Sequence, residues 1–252
     1  MNQLGKSIHV AAALVLLSGI SVDGRADTPA EAVPPSEAVP PSEAVPPIED
    51  LGDERYRIGT IVVDKPGRSF TVGGKILHLK QPLEYLAVKT DGYKGYESLL
   101  ELDTLAVEFQ LACILVGLDD KNSVKPRFQF DEREAEGQAV EITLSWIEDD
   151  EAKTVNASNA LMAGDEPFDD HRWVYIGSMS SPQDGSLLAE ASGTLIGFVH
   201  DPLSVIEHRP GVGRDNYGFV TGNSALLPPV GAPVTLTVTV STEDGTDSQL
   251  SD

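Results

Sequence analysis

The sequence predicts an α+β fold: a mainly antiparallel sheet packed on one buried central helix, with one or two short extra helices. Three observations predict it. Residues 140–147 (VEITLSWI) and 233–240 (PVTLTVTV) alternate apolar with polar side chains, the period-two pattern of half-buried strands. Residues 105–118 (LAVEFQLACILVGL) are apolar except for Glu108 and Gln110 and glycine, the composition of a helix buried on most faces and too short to span a bilayer. The regular strand–helix alternation of a doubly wound α/β protein is absent.

The elements follow in order. Residues 8–20 (IHVAAALVLLSGI) follow Lys6 and precede the small residues of Gly24-Arg25-Ala26. A charged start, a brief apolar run and a small-residue site describe a secretory signal peptide over 1–26, cleaved after Ala26. The destination is secreted or periplasmic. Residues 27–50 read as a disordered Pro/Glu-rich linker, in which the unit EAVPPS recurs over 31–47. Its Pro-Pro pairs disfavour helix and remove backbone donors, so the chain runs extended and semi-rigid.

A single domain is expected over 51–240. Arg57–Asp64 is β-branched and ends at a Lys65-Pro66-Gly67 turn. Ser69–Val72 follows, and Gly73-Gly74 reads as a tight hairpin turn into 75–79. Leu83–Val88 is a further strand. Asp103-Thr104 offers an N-cap for the apolar run 105–118, with Cys113 as a packing residue at its centre. Residues 119–137 are loop-like. Strand 140–147 turns at Glu148–Glu151 and returns through 153–155, with a short helix at 159–163. Residues 173–178 and 194–199 are strands. Asp201-Pro202 starts a short helix to Glu207. Strand 233–240 closes the domain, and 241–252 is an acidic disordered tail.

Composition excludes several functions. The 252 residues carry 18 Lys and Arg against 40 Asp and Glu, a formal charge of −22. That balance opposes phosphate neutralisation and hence nucleic-acid binding, and it opposes adhesion to anionic lipid. One cysteine closes no internal disulfide, builds no four-cysteine zinc site and holds no iron–sulfur cluster. No segment after the signal spans a membrane, and no cofactor is expected.

Glu97–Leu100 running into the apolar helix, Trp173–Ser178, Gly193–Pro202 and Leu227–Val234 occur in an order that resembles the YdjY-domain family of bacterial exported proteins. The resemblance covers roughly residues 55–240 and implies an exported domain with no settled activity. The family pattern places a His directly before the Glu-Ser pair. Tyr96 stands there in this sequence, so any role the resemblance implies for that His is lacking or replaced here.

The candidate ligand-binding residues are Tyr96, Glu97, Ser98, His200 and Asp201. Glu97 and Ser98 offer a carboxylate and a hydroxyl beside Tyr93 and Tyr96. His200-Asp201 lies at a strand end, a frequent place for functional groups. No catalytic residue and no metal ligand set is assigned. There is no H-E-x-x-H, nucleophile elbow or phosphate loop, and Gly211-Val212-Gly213-Arg214 holds only part of a dinucleotide motif. The expected function is an exported non-catalytic binding or structural domain of the bacterial cell envelope, facing an envelope or extracellular partner and tethered by the spacer. Two alternatives stand beside it. One is a hydrolase-type enzyme using Glu97 and Ser98 with His200 or Asp201; the other is an acidic Ca²⁺-binding surface protein drawing on carboxylate runs such as Asp165–Asp170.

Overall fold

The computed structural model describes residues 46–212 and 218–242. The signal segment, the EAVPPS repeat, Gly213-Arg214 and nearly all of the acidic tail lie outside them.

The strands are β1 (Ile48–Gly52), β2 (Arg55–Ile58), β3 (Ile61–Asp64), β4 (Ser69–Ile76), β5 (Tyr85–Lys89), β6 (Ser98–Leu102), β7 (Gln138–Glu148), β8 (Glu151–Asn156), β9 (Leu161–Ala163), β10 (Glu166–Pro167), β11 (Trp173–Tyr175), β12 (Thr194–Gly197), β13 (Ile206–His208), β14 (Val220–Gly222) and β15 (Pro233–Val240). The helices are α1 (Ala106–Leu115) and α2 (Leu188–Ser192). Residues 48–50, read from sequence as the end of the spacer, begin β1.

The expected α+β architecture is corrected here. Eight strands close on themselves in the order β4-β15-β7-β11-β13-β12-β5-β6, with β6 returning to β4. The protein is a mostly β barrel with extra strands, and no sheet packs on a central helix. An eight-stranded barrel has an interior just wide enough for side chains. Here Phe70, Val72, Ile142, Leu144, Leu236 and Val238 fill it. Their period-two spacing along β4, β7 and β15 is what puts them on one face.

The apolar run misled because hydrophobicity all round does not force burial all round. Helix α1 covers ten residues and buries one stripe, Ala106, Phe109, Ala112 and Cys113. Phe109 meets Phe70 edge-on with ring centroids 5.2 Å apart. Leu105 and Ile114 stay 44% and 50% exposed. The strands bury their apolar faces against one another, so the helix is an addition to the barrel and not its core.

The strand expected over 57–64 turns at Gly59-Thr60 between β2 and β3, and the helix expected at 159–163 is a single turn over 158–160 that runs into β9. Two expectations nearer the barrel seam and the crossover also change. Gly73-Gly74 is no turn: both lie inside β4, which pairs with β15 on one side and β6 on the other. A Cβ on Gly74 would meet Leu102 Cα at 3.0 Å as well as the Glu101 carbonyl, so glycine there permits the close approach that seals the barrel. The helix expected from Asp201 to Glu207 is absent. Asp201 Oδ1 accepts the Leu203 N–H at 2.9 Å in a turn, and the chain leaves as β13. Asp-Pro starts such turns as readily as it starts helices.

Most ladders are antiparallel, but β12–β13 and β5–β6 are parallel. The β12–β13 connection has only residues 198–205 in which to return along the sheet. That short crossover creates the polar region described next.

Candidate functional site

Ladder partners share a face. Val174 of β11 pairs with Glu207 of β13, and Glu207 pairs with Gly197 of β12. Val174 packs with Ala135 and Ile176 in a cluster separate from the barrel interior. This row therefore lies on the outer face. Solvent would cover it, but two segments do instead: the crossover 198–205 and a strap over 127–135.

Running against the sheet, the crossover must find acceptors for its buried N–H groups. Glu207 Oε1 takes the Asp201 N–H at 3.1 Å. Asp201 Oδ2 accepts the Tyr85 hydroxyl at 2.9 Å, from the start of β5. His200 holds the turn into the crossover with φ +62°, unusual for a residue other than glycine. Its ring lies flat against Gly211, where a Cβ would meet Nε2 at 2.9 Å. Both ring nitrogens face backbone carbonyls, Nδ1 that of Asp131 and Nε2 that of Arg209 at 3.1 Å.

The strap is fastened to the crossover and to β5. Phe130 N–H donates to the Val199 carbonyl at 2.8 Å. Gln129 Nε2 donates to Glu84 Oε2 at 2.6 Å. Asp131 receives a bidentate guanidinium from Arg127 at 2.8 and 2.7 Å. These bonds hold its carboxyl well below the usual range, the Arg127 side chain first and its backbone N–H next. Burial pushes Glu84 the other way, upward, helped by the Glu97 charge. Glu207 is raised well above the ordinary carboxylate value, by burial first and the neighbouring Asp201 second.

The five sequence candidates separate into two groups. His200 and Asp201 belong to the buried crossover. Glu97 pairs with Lys94 at 2.6 Å, and buried Ser98 donates from Oγ to the Lys94 carbonyl at 2.8 Å. Tyr96 is 55% exposed and meets Tyr93 edge-on at 6.2 Å. Lys94 Nζ also lies 5.7 Å from the Tyr85 and Tyr96 ring centres. The groups approach through Tyr85 and Glu84, yet no hydrogen bond among the described residues joins Glu97 or Ser98 to His200 or Asp201.

Among the described residues no three His, Cys, Asp or Glu side chains are disposed to hold a metal ion. Asp169 lies 3.4 Å from His171, while Asp170 is taken up by Arg172 and His208. Burial pushes the Cys113 thiol up, which removes it as a nucleophile. An open polar groove of about 1250 Å³ runs beside the start of β7, lined by Arg68, Glu134, Gln138, Arg172 and Arg209. None of the five candidates lines it.

The family model for the YdjY domain matches residues 61–239, which takes in β3 through nearly all of β15. The chain belongs to the YdjY domain family. No curated protein and no solved structure matches it.

Several residues of this YdjY domain were missed by sequence reasoning. Glu207 was read as a helix end, although Val205-Ile206-Glu207-His208 also fits a short strand. Tyr85 carried no signal beyond its strand. His208 is buried between Phe168 and Trp173, at centroid distances of 4.9 and 5.2 Å, with Nε2 3.2 Å from Asp170 Oδ1. Burial alone would raise Asp170, but its bonds to His208 and Arg172 outweigh that and lower it.

Proposed function

We propose that the protein is an exported, non-catalytic binding or structural domain of the bacterial cell envelope, held out on an extended acidic Pro-rich spacer. One observation carries the non-catalytic part. The five candidate residues have their polar atoms engaged within the chain or turned to solvent: Glu97 pairs with Lys94, Ser98 with a carbonyl, Asp201 with Tyr85 and Leu203, the His200 ring sits between two carbonyls, and Tyr96 is exposed. A general base or nucleophile has to face a reacting atom, and the engaged side chains face their own backbone and one another. Export rests on the charged start, short apolar run and small-residue site of residues 1–26.

Cell fractionation with N-terminal sequencing tests the address. A mature protein beginning at Asp27 in the periplasm or medium is expected, and an intact Met1 terminus in the membrane or cytoplasm would contradict it. Chromogenic ester, phosphoester and glycoside substrates test the chemistry. Hydrolysis by the wild type that Glu97→Gln or His200→Gln abolishes, with the fold intact by circular dichroism, would overturn the non-catalytic reading.

A further inference from the structure

The crossover and strap close over one fully buried acid. Glu207 has no solvent exposure. One carboxyl oxygen accepts the Asp201 N–H, and the other has no hydrogen-bonding partner within the chain. Ser204 Oγ is buried beside it, close enough to favour a charge there but closing no hydrogen bond of good geometry. Both side chains rest on Gly197, where an added Cβ would meet Ser204 Oγ at 2.8 Å and clash with Glu207 Oε1.

Burial and the neighbouring Asp201 carboxylate make ionisation of Glu207 expensive, and the Ser204 hydroxyl with the Asp201 and His200 backbone offsets only part of that cost. From the crossover come the Asp201 carboxylate, Ser204 and the backbone of His200; from β12, Gly197; from β11, Val174. From β5 comes Tyr85, whose hydroxyl is committed to Asp201; Glu84, the residue before β5, is capped by Gln129 of the strap and lies beyond Asp201. Among the described residues no Lys, Arg or His side chain pairs with Glu207. Lys94 stands over the Tyr85 ring and is paired with Glu97. An ionised carboxylate here would have no cationic partner, would be dry and would lie next to a second carboxylate, so its few hydrogen bonds leave the charge disfavoured.

We propose that Glu207 is a proton-operated latch: while its carboxyl is neutral, the crossover and the strap stay closed over the outer face of β11, β12 and β13, and its ionisation releases them. Hydration is the relief open to the charged form, and water reaches Glu207 only if the crossover lifts. The strap follows because its fastenings run to the crossover through Phe130, Asp131 and His200. The sign follows from linkage. A carboxyl raised on folding contributes stability that is full below its unfolded value and is lost as pH rises through its folded value. The latch is therefore closed in acid and opens toward alkaline pH. This device rests on the barrel and its crossover and not on the binding reading above.

Hydrogen–deuterium exchange on the full chain, corrected for intrinsic rates, tests it. Between about pH 5 and about pH 8.5, peptides from 127–135 and 198–205 are expected to lose protection about tenfold or more, while β7 and β15 keep theirs. Glu207→Gln, which cannot ionise, is expected to hold protection at both pH values. A wild type without the step, or a Glu207→Gln protein that keeps it, would overturn the latch. Should that variant not fold, infrared spectroscopy of the wild type decides. A protonated-carboxyl band is expected to outlast ordinary carboxylate titration and vanish together with strap protection. Its absence above that range, or its persistence after opening, contradicts the proposal.

Discussion

His200 lays its imidazole against the carbonyl of Asp131, and through that contact the crossover and the strap are joined. Asp131 is itself fixed by the Arg127 guanidinium and by the backbone N–H groups of Arg127 and Arg133. Its carboxyl is depressed on folding. Such a group contributes stability that is present above its unfolded value and lost as pH falls through its folded one. Asp131→Asn is expected to flatten the acid limb of stability below about pH 4. Urea midpoints across that range check this; an unchanged acid limb would show that the clamp contributes nothing.

Helix α1 begins on a carboxylate borrowed from 84 residues away. Glu190 Oε2 accepts the N–H groups of Ala106 and Val107 at 2.7 and 3.1 Å, while Lys89 holds Oε1 at 3.1 Å. Leu105 occupies the N-cap and its side chain accepts nothing, so Glu190 satisfies donors the helix cannot. Glu190→Ala is expected to cost about 1–2 kcal/mol, and Glu190→Gln, which keeps an acceptor, less. Chemical denaturation of the two variants reads the difference.

Gly197 is the floor under the crossover. Replacing it with alanine drives a methyl group into Glu207 and Ser204. The expected cost is about 1–3 kcal/mol, with protection lost first in 198–205. A Gly197→Ala protein with wild-type stability would mean that the crossover does not press on β12.

Much of the sheet was legible in the sequence because individual strands announce themselves. Alternation marks β7 and β15, and short apolar bursts flanked by glycine mark β11 and β12. Closure was not legible. It depends on β4 pairing with β6, and the sequence signals of that contact, Gly73 and Gly74, are also the signals of a turn. The largely apolar run at 105–118 then suggested a central helix the barrel does not need. Among the candidate residues, His200 and Asp201 stood out as polar groups at a strand end. Glu207 did not, because a glutamate after an apolar pair reads equally as a helix end. Its burial comes from a crossover whose path only the three-dimensional pairing of β12 with β13 defines.

The polar residues over the outer face fasten this domain's crossover. A double-mutant cycle on Tyr85 and Asp201 tests it most directly, since their hydroxyl–carboxylate bond joins β5 to the crossover at 2.9 Å in a buried setting. Tyr85→Phe, Asp201→Asn and the double variant would be compared by urea denaturation. Each single change is expected to destabilise, and the pair to couple by about 1–3 kcal/mol. Single variants as stable as the wild type, with effects that simply add, would contradict it.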